Sequence, residues 1–326
     1  MFNNTYSVYN SADYFEYQER WIHESKAMNR TFIMHCRAGM ILLILSLSAC
    51  AGQNALSQDV GNTPQPPYRI LITNDDGIES EGIRQLAIAV AEFAEVVVVA
   101  PEKNESGASQ SSRLLRLRAT ATAVDMGDSV SAWAVNGTPA DCAGFGIVMF
   151  GREEPFDLVL SGVNYGANYG IAYLYSGTVG AAFQALADGI PSIAISQDHR
   201  REEWATSIDF TVEVVKSVLA NPMPAGELLS INVPNGDIQG VKALPGFGKT
   251  FIVELETAED EAGSYYKPII VSNKEPVTGS DLQAFQEGYI TVTPLRLDRN
   301  AYDSLDPLRQ RAFMENWSGS QSHADK

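Results

Sequence analysis

From Tyr68 onward the chain alternates short unbroken apolar runs with stretches whose apolar positions recur at helical spacing. Unbroken runs suit strands buried on both faces, and the helical stretches suit the crossovers that join parallel strands. Arg69, Ile70, Leu71, Ile72, Thr73 and Asn74 form the first strand, and Ile83, Leu86, Ala87 and Val90 mark the helix after it. Val96 to Ala100 and Asp157 to Ser161 read as further strands. Thr178 to Ala187 reads as a helix closed by Gly189 and Pro191, and Ser192 to Ser196 as the strand that follows. Ile208, Val212, Val215 and Leu219 mark another amphipathic helix, and Leu228 to Val233 the next strand. The alternation predicts a doubly wound, mostly parallel α/β sheet over residues 68–234. Past Pro234 the helical period fades. Phe251 to Leu255, Lys267 to Val271 and Tyr289 to Thr293 read as hairpins of a small β-rich extension over 235–317, whose exposed edge calls for cover by a partner subunit. Residues 318–326 are polar and read as a frayed tail.

The amino-terminal part has a different character. Arg30 and Arg37 precede an apolar stretch from Met40 to Leu47 that is too short to span a bilayer and suits a signal-peptide core. Leu47-Ser48-Ala49-Cys50 then resembles the bacterial lipobox, in which the cysteine is acylated, so Cys50 is the expected lipidation site. Residues 1–50 are thus a lipoprotein-type leader. Residues 51–67, with Ser57, Gly61, Asn62, Pro64, Pro66 and Pro67, read as a flexible tether. Met1 to Lys26 carries Glu16, Glu19 and Glu24, unlike the basic start of a signal peptide, and Met28 as the true start would restore the usual order. With the leader in use the protein is expected to be periplasmic and lipid-anchored; with Met1 as the start export becomes doubtful, and a cytoplasmic location is the alternative. Cys142 remains as a lone small hydrophobe expected in the core.

The chain has 326 residues, 45% of them hydrophobic, enough for a large core. A net charge of −17 argues against nucleic-acid binding and favours small anions, neutralised locally by a metal or by backbone N–H groups. Of the histidines, His23, His35 and His323 fall in the leader and tail, and His199, beside Arg200 and Arg201, reads as a surface residue.

Candidate chemistry starts at Asp75 and Asp76, which end the first strand and are followed by Gly77. Open α/β sheets keep their ligands at the carboxyl edge, and two close carboxylates there either share a proton or bind a divalent cation. The plainer reading is a cap on the next helix. Four further clusters follow predicted strands. Pro101 to Ser109 holds a Ser106-Gly107 step, equally an ordinary polar turn. Ser161 to Asn168 offers Asn164 as an amide ligand, or simply turn asparagines. Tyr175-Ser176-Gly177-Thr178-Val179 opens a helix and is a phosphate seat or a plain N-cap. Val135 to Cys142 runs from a turn into a helix and either lines a base pocket or connects elements.

In order along the chain, Ile72 to Gly77, Ala100 to Ser109, Asn136 to Cys142, Ser161 to Asn168, Tyr175 to Thr178 and Gly288 to Leu295 resemble the SurE family of survival-protein nucleotidases. The resemblance extends from about Arg69 to about Pro307. It implies a Rossmann-like domain with a carboxy-terminal extension exchanged between subunits, hence a homodimer or homotetramer. It also implies one divalent ion, Mg²⁺ or Mn²⁺, held by Asp75, Asp76, Ser106 and Asn164. Asn168, Ser176, Gly177 and Thr178 would contact the phosphate, and Asn74 would support the first metal loop from within the binding set. The implied reaction is metal-assisted hydrolysis of nucleoside 5′- and 3′-monophosphates, with Asp75 and Asp76 as its catalytic carboxylates. The acidic stretch Gly246 to Ala262, with Glu254, Glu256, Glu259, Asp260 and Glu261, departs from the family's usual arrangement. Two alternatives stay open: a phosphoaspartyl phosphatase using Asp75 or Asp76 as nucleophile, and a lipid-tethered protein that binds nucleotides without cleaving them.

Overall fold

The computed structural model describes residues 68–300 except 116–117, 249, 261–262 and 273–274. Cys50, Met28, the leader, the tether and the tail lie outside the described residues.

Eleven strands and five α-helices are described. In chain order they are β1 (Tyr68–Thr73), α1 (Glu81–Ala91), β2 (Ala94–Pro101), β3 (Ala121–Asp125), β4 (Val130–Val135), α2 (Pro139–Phe150), β5 (Leu158–Tyr165), α3 (Gly177–Ala187) and β6 (Ser192–Gln197). They continue with α4 (Ala205–Ala220), β7 (Glu227–Val233), β8 (Gly240–Ala243), β9 (Phe251–Asp260), β10 (Gly263–Ser272), α5 (Asp281–Gln286) and β11 (Tyr289–Arg296). A short 3₁₀ turn, Gly170–Leu174, precedes α3.

Nine strands form one sheet in the order β3-β4-β2-β1-β5-β6-β7-β11-β8. The six from β4 to β7 run parallel, and β3 and β11 pair antiparallel to β4 and β7. The chain leaves β1 toward β2 on one side and later returns to β5 on the other, so the crevice between the ends of β1 and β5 is the topological switch point where such sheets bind ligands.

Core side chains lie on both faces of the sheet. On one, Ile83, Leu86 and Val90 of α1 and Ile208 and Val215 of α4 pack against Ile70, Ile72, Val96, Val98, Leu158 and Leu160. On the other, Cys142 of α2 and Ala185 of α3 meet Leu71, Val97, Val99 and Val159, while Val179, Ala182 and Phe183 pack on Ala194 and Leu228. This double burial is why the central strands read as apolar runs. Cys142 is fully buried.

The structure departs from the sequence reading at three places. β5 runs four residues beyond Ser161, so Asn164 sits on a strand end rather than in a loop. β3 and β4 form an edge excursion between β2 and α2 that the apolar pattern did not mark, because β3 is largely exposed. The sheet also continues past Pro234. β11 inserts beside β7 and carries β8 on its far edge, so among the described strands β9 and β10 alone stand apart, as a two-stranded antiparallel ribbon. Within it, Glu254, Glu256, Glu259 and Asp260 are exposed, as a solvated acidic face should be.

Candidate active site

β1 is buried along Ile70 to Thr73 and delivers the chain to the sheet edge, where Asn74 and Asp75 remain buried. Asn74 is fully buried and is spent within its own loop. Its Nδ2 donates to the Gly77 carbonyl at 2.9 Å and to Ser80 Oγ at 2.7 Å, and its Oδ1 accepts from the Gly77 N–H at 3.2 Å. With both ends of the amide so engaged, Asn74 shapes the aspartate loop, the supporting role expected of it.

The loop after β2 is fastened to this turn. The Ile78 N–H donates to the Pro101 carbonyl at 2.9 Å, and the Glu105 N–H to the Asp75 carbonyl at 2.7 Å. Asn104, a residue the motif analysis passed over, joins the two loops. Its Nδ2 reaches Asp76 Oδ1 at 3.3 Å, and its Oδ1 accepts from the Ser106 N–H at 2.9 Å. The second contact is an Asx turn, a local signal legible in an Asn two residues before a Ser-Gly step. Ser106 itself is exposed, and its hydroxyl makes no hydrogen bond among the described residues.

On the other side of Asp76 stands the end of β5. The pairing of β5 with β6 shifts register between Ser161 and Asn164, a bulge of the kind that re-aims side chains beside active sites. Gly162 makes it possible. Its φ is +142°, and a Cβ there would lie 2.3 Å from the Ile195 carbonyl oxygen. Beyond the bulge, Asn164 is 8% exposed and its Nδ2 donates to the Gly166 carbonyl at 2.5 Å. That bond fixes the amide's orientation and leaves Oδ1 as the open acceptor. The Tyr165 N–H donates to Asp76 Oδ2 at 2.9 Å.

The third wall is the start of α3. Ser176 is its N-cap and accepts from the Val179 N–H at 3.1 Å. The Thr178 hydroxyl donates to Asp75 Oδ1 at 2.6 Å and is fully buried. Its side chain orients Asp75. A Cβ on Gly177 would lie 2.8 Å from Asp75 Cβ and 2.9 Å from Asp75 Oδ2, so the helix start and the carboxylate are in direct apposition. The Gly177 N–H and the Ser176 O–H remain as donors at the positive end of the helix. Asn168 lies further along the edge. Its N–H donates to Asn232 Oδ1 at 2.6 Å and its Nδ2 to Ser196 Oγ at 2.8 Å, which leaves one Nδ2 hydrogen for a ligand.

Burial pushes the Asp75 carboxyl up to about 6, against the Thr178 hydrogen bond and with help from the charge of Asp76. Asp76 is raised by burial too, opposed by the Tyr165 N–H. Two carboxylates that resist ionisation together lack a positive partner. Among the described residues no cluster of three or more His, Cys, Asp and Glu side chains could hold a metal; the oxygen groups at this edge are the Asp75 and Asp76 carboxylates and the Asn164 amide, with the Ser106 hydroxyl on the adjoining loop. This all-oxygen set fits a hard divalent cation.

The segment Asn136 to Cys142 does not line this crevice through its polar side chains. Asn136 clamps Thr120 and Arg118, Thr138 donates to the Ser111 carbonyl at 2.6 Å, and Asp141 accepts from the Arg113 N–H at 2.9 Å and from Ser112. These contacts fasten the segment after the Ser106 loop to the amino end of α2. His199 is 70% exposed at the side chain, with Nδ1 3.7 Å from Asp198.

A family model described as survival protein SurE matches residues 70–250. A 5′-nucleotidase SurE of Aeromonas hydrophila is 37% identical over 246 residues, covering 74% of this chain and 96% of the relative. One from Thermoanaerobacter sp. (strain X514) is 37% identical over 249 residues, covering 74% and 96%. The crystal structure of a SurE protein from Aquifex aeolicus superposes with a TM-score of 0.65 at 33% identity, covering 74% of this chain and 98% of the other.

Proposed function

The chain belongs to the survival protein SurE family, and on that premise we propose that it is a 5′-nucleotidase, a metal-dependent phosphomonoesterase that hydrolyses nucleoside 5′- and 3′-monophosphates to nucleoside and phosphate. The observation that carries the reading is the meeting of the β1 carboxylates, the end of β5 and the start of α3 at one switch point. Asp75, Asp76, the Asn164 Oδ1 and the Ser106 hydroxyl would hold one Mg²⁺ or Mn²⁺. When bound, such an ion supplies charge neutralisation and a more acidic water.

The chain's own groups do the rest. The Gly177 N–H and Ser176 O–H meet phosphoryl oxygens at the positive end of α3, and Asn168 offers a further donor. These donors are fixed before the substrate arrives, so they stabilise developing charge without reorganising. Thr178 holds one Asp75 oxygen, Asn104 and the Tyr165 N–H hold both Asp76 oxygens, and Asn74 rigidifies the turn between them. Phosphoryl transfer depends mostly on such positioning, which a site without Arg or His can supply. Purified protein given Mn²⁺ and adenosine monophosphate is expected to release phosphate, and chelation to stop it. Tight nucleotide binding without release would favour a non-catalytic binding protein.

The assembly we propose is a homodimer or homotetramer covered at the β9–β10 ribbon. A lone two-stranded ribbon is marginal in water. Val253, Leu255 and Tyr266, which share one of its faces by register, are 53%, 64% and 72% exposed. Leu255→Asp is expected to shift the protein to monomer in sedimentation velocity; unchanged sedimentation would remove the ribbon from the interface. The lipobox supports a periplasmic, lipid-anchored location through Cys50. Labelled palmitate should enter the wild-type protein in cells and not Cys50→Ala, and absence of label from both would leave the chain unanchored.

A further inference from the structure

Tyr165 is the last residue of β5, and its N–H is held on Asp76 Oδ2 at 2.9 Å, so its Cα is fixed at the rim of the carboxylate site. The side chain is nevertheless 54% exposed. Its ring rests on Trp204, centroids 6.1 Å apart at an interplanar angle of 50°. Trp204 is itself wedged against α1, where a Cβ on Gly82 would lie 2.9 Å from the indole. A half-open aromatic ring with a rigid aromatic backing is thus built next to the charged crevice.

Single exposed aromatic residues are common and need no explanation. This one differs in where its backbone is tied. Alternation along β5 sends Tyr165 to the sheet face opposite Asn164, the side of α1 and α4, whereas the phosphate seat at α3 lies on the other side. A nucleotide anchored at Gly177 that lies across the strand ends brings its sugar past Asp76 and its base toward Tyr165.

We propose that Tyr165, backed by Trp204, is the platform on which the nucleobase stacks, an inference that rests on the nucleotidase reading above. Stacking uses the π-face that every base has, so the platform favours nucleotides over base-free phosphate esters without selecting strongly among bases. The Tyr165 ring is a specificity element and takes no part in the bond cleavage.

The test uses the full chain with Mn²⁺ and two probes. Calorimetric titration with adenosine, which has no phosphate to cleave, is expected to show binding that weakens about tenfold in Tyr165→Ala and persists in Tyr165→Phe. The ratio of kcat/KM for adenosine monophosphate over ribose 5-phosphate is expected to fall about tenfold in Tyr165→Ala, mainly through KM. Unchanged adenosine affinity overturns the platform. So does an equal loss on both esters, which would mark Tyr165 as a mere support for Asp76. If the wild type releases no phosphate from adenosine monophosphate, the nucleotidase reading fails, and the adenosine titration still decides the platform.

Discussion

Asp75→Asn is expected to lower phosphate release at least ~100-fold while making the metal-free protein more stable at neutral and alkaline pH. The loss follows from removing one of two carboxylate charges that face a divalent cation. The gain follows from burial. In the folded protein the Asp75 carboxyl is pushed from its ordinary 3.8 up to about 6. Below pH 3.8 it is protonated whether the chain is folded or not, and it costs nothing. Between 3.8 and about 6 the unfolded chain releases the proton first and a penalty on folding builds; above 6 the penalty is complete, about 3 kcal/mol.

Asparagine keeps an oxygen for the Thr178 hydroxyl and has no charge to bury. The melting temperature of metal-free Asp75→Asn should therefore exceed that of wild type at pH 8 and match it only well below pH 3.8. Saturating Mn²⁺ should reverse the order at pH 8, because only the wild type then gains from a tightly bound ligand. A variant less stable than wild type at pH 8 without metal would contradict the burial penalty on Asp75, and one that turns over normally would remove Asp75 from the metal site.

What made this site legible was local. The apolar run of β1 ends where Asp75 begins, and Ser176-Gly177-Thr178 carries the cap and the bare backbone of a helix start, so residue order alone placed both at the carboxyl edge of a parallel sheet. The remainder depends on partners distant in sequence. Thr178, expected near the phosphate, has its hydroxyl on Asp75, a partner 103 positions away that no local pattern marks. Asn164, offered as an amide ligand or a turn residue, reads as lying in a loop because the irregularity at Gly162 carries β5 past the expected strand end. β11 reads as part of an appended lobe because a short β-rich segment carries no mark of its partner, and only its pairing with β7 puts it in the main sheet. Asn104 was legible and missed, since its Asx turn to Ser106 is a local pattern whose value lay in the other end of the amide, on Asp76.

Gly177→Ala is the second large effect expected, and its sign rests on a comparison of two terms. Gly177 is the first residue of α3 and does not have a left-handed backbone. Alanine would thus suit the helix, worth up to about 1 kcal/mol in a helix interior and less at its first turn. Against this, the new Cβ would lie 2.8 Å from Asp75 Cβ, 2.9 Å from Asp75 Oδ2 and 3.0 Å from Pro139 Cγ. None of these is the loose end of a long side chain: the carboxylate is held by Thr178, and Pro139 is the first residue of α2. Overpacking of this kind costs about 1–3 kcal/mol, so the variant should melt lower than wild type. Relief requires Asp75 to leave Thr178 or α3 to withdraw, and a displacement near 1 Å at a positioned site costs roughly 100-fold in rate. Gly144→Ala is the control, because a Cβ there meets nothing closer than 3.8 Å and the helix gain should show alone. If Gly177→Ala acts by displacing Asp75, its rate loss must not add to that of Asp75→Asn in the double variant, since both act through one carboxylate. Fully additive losses would separate the helix start from Asp75 and leave Gly177 acting on the phosphate alone.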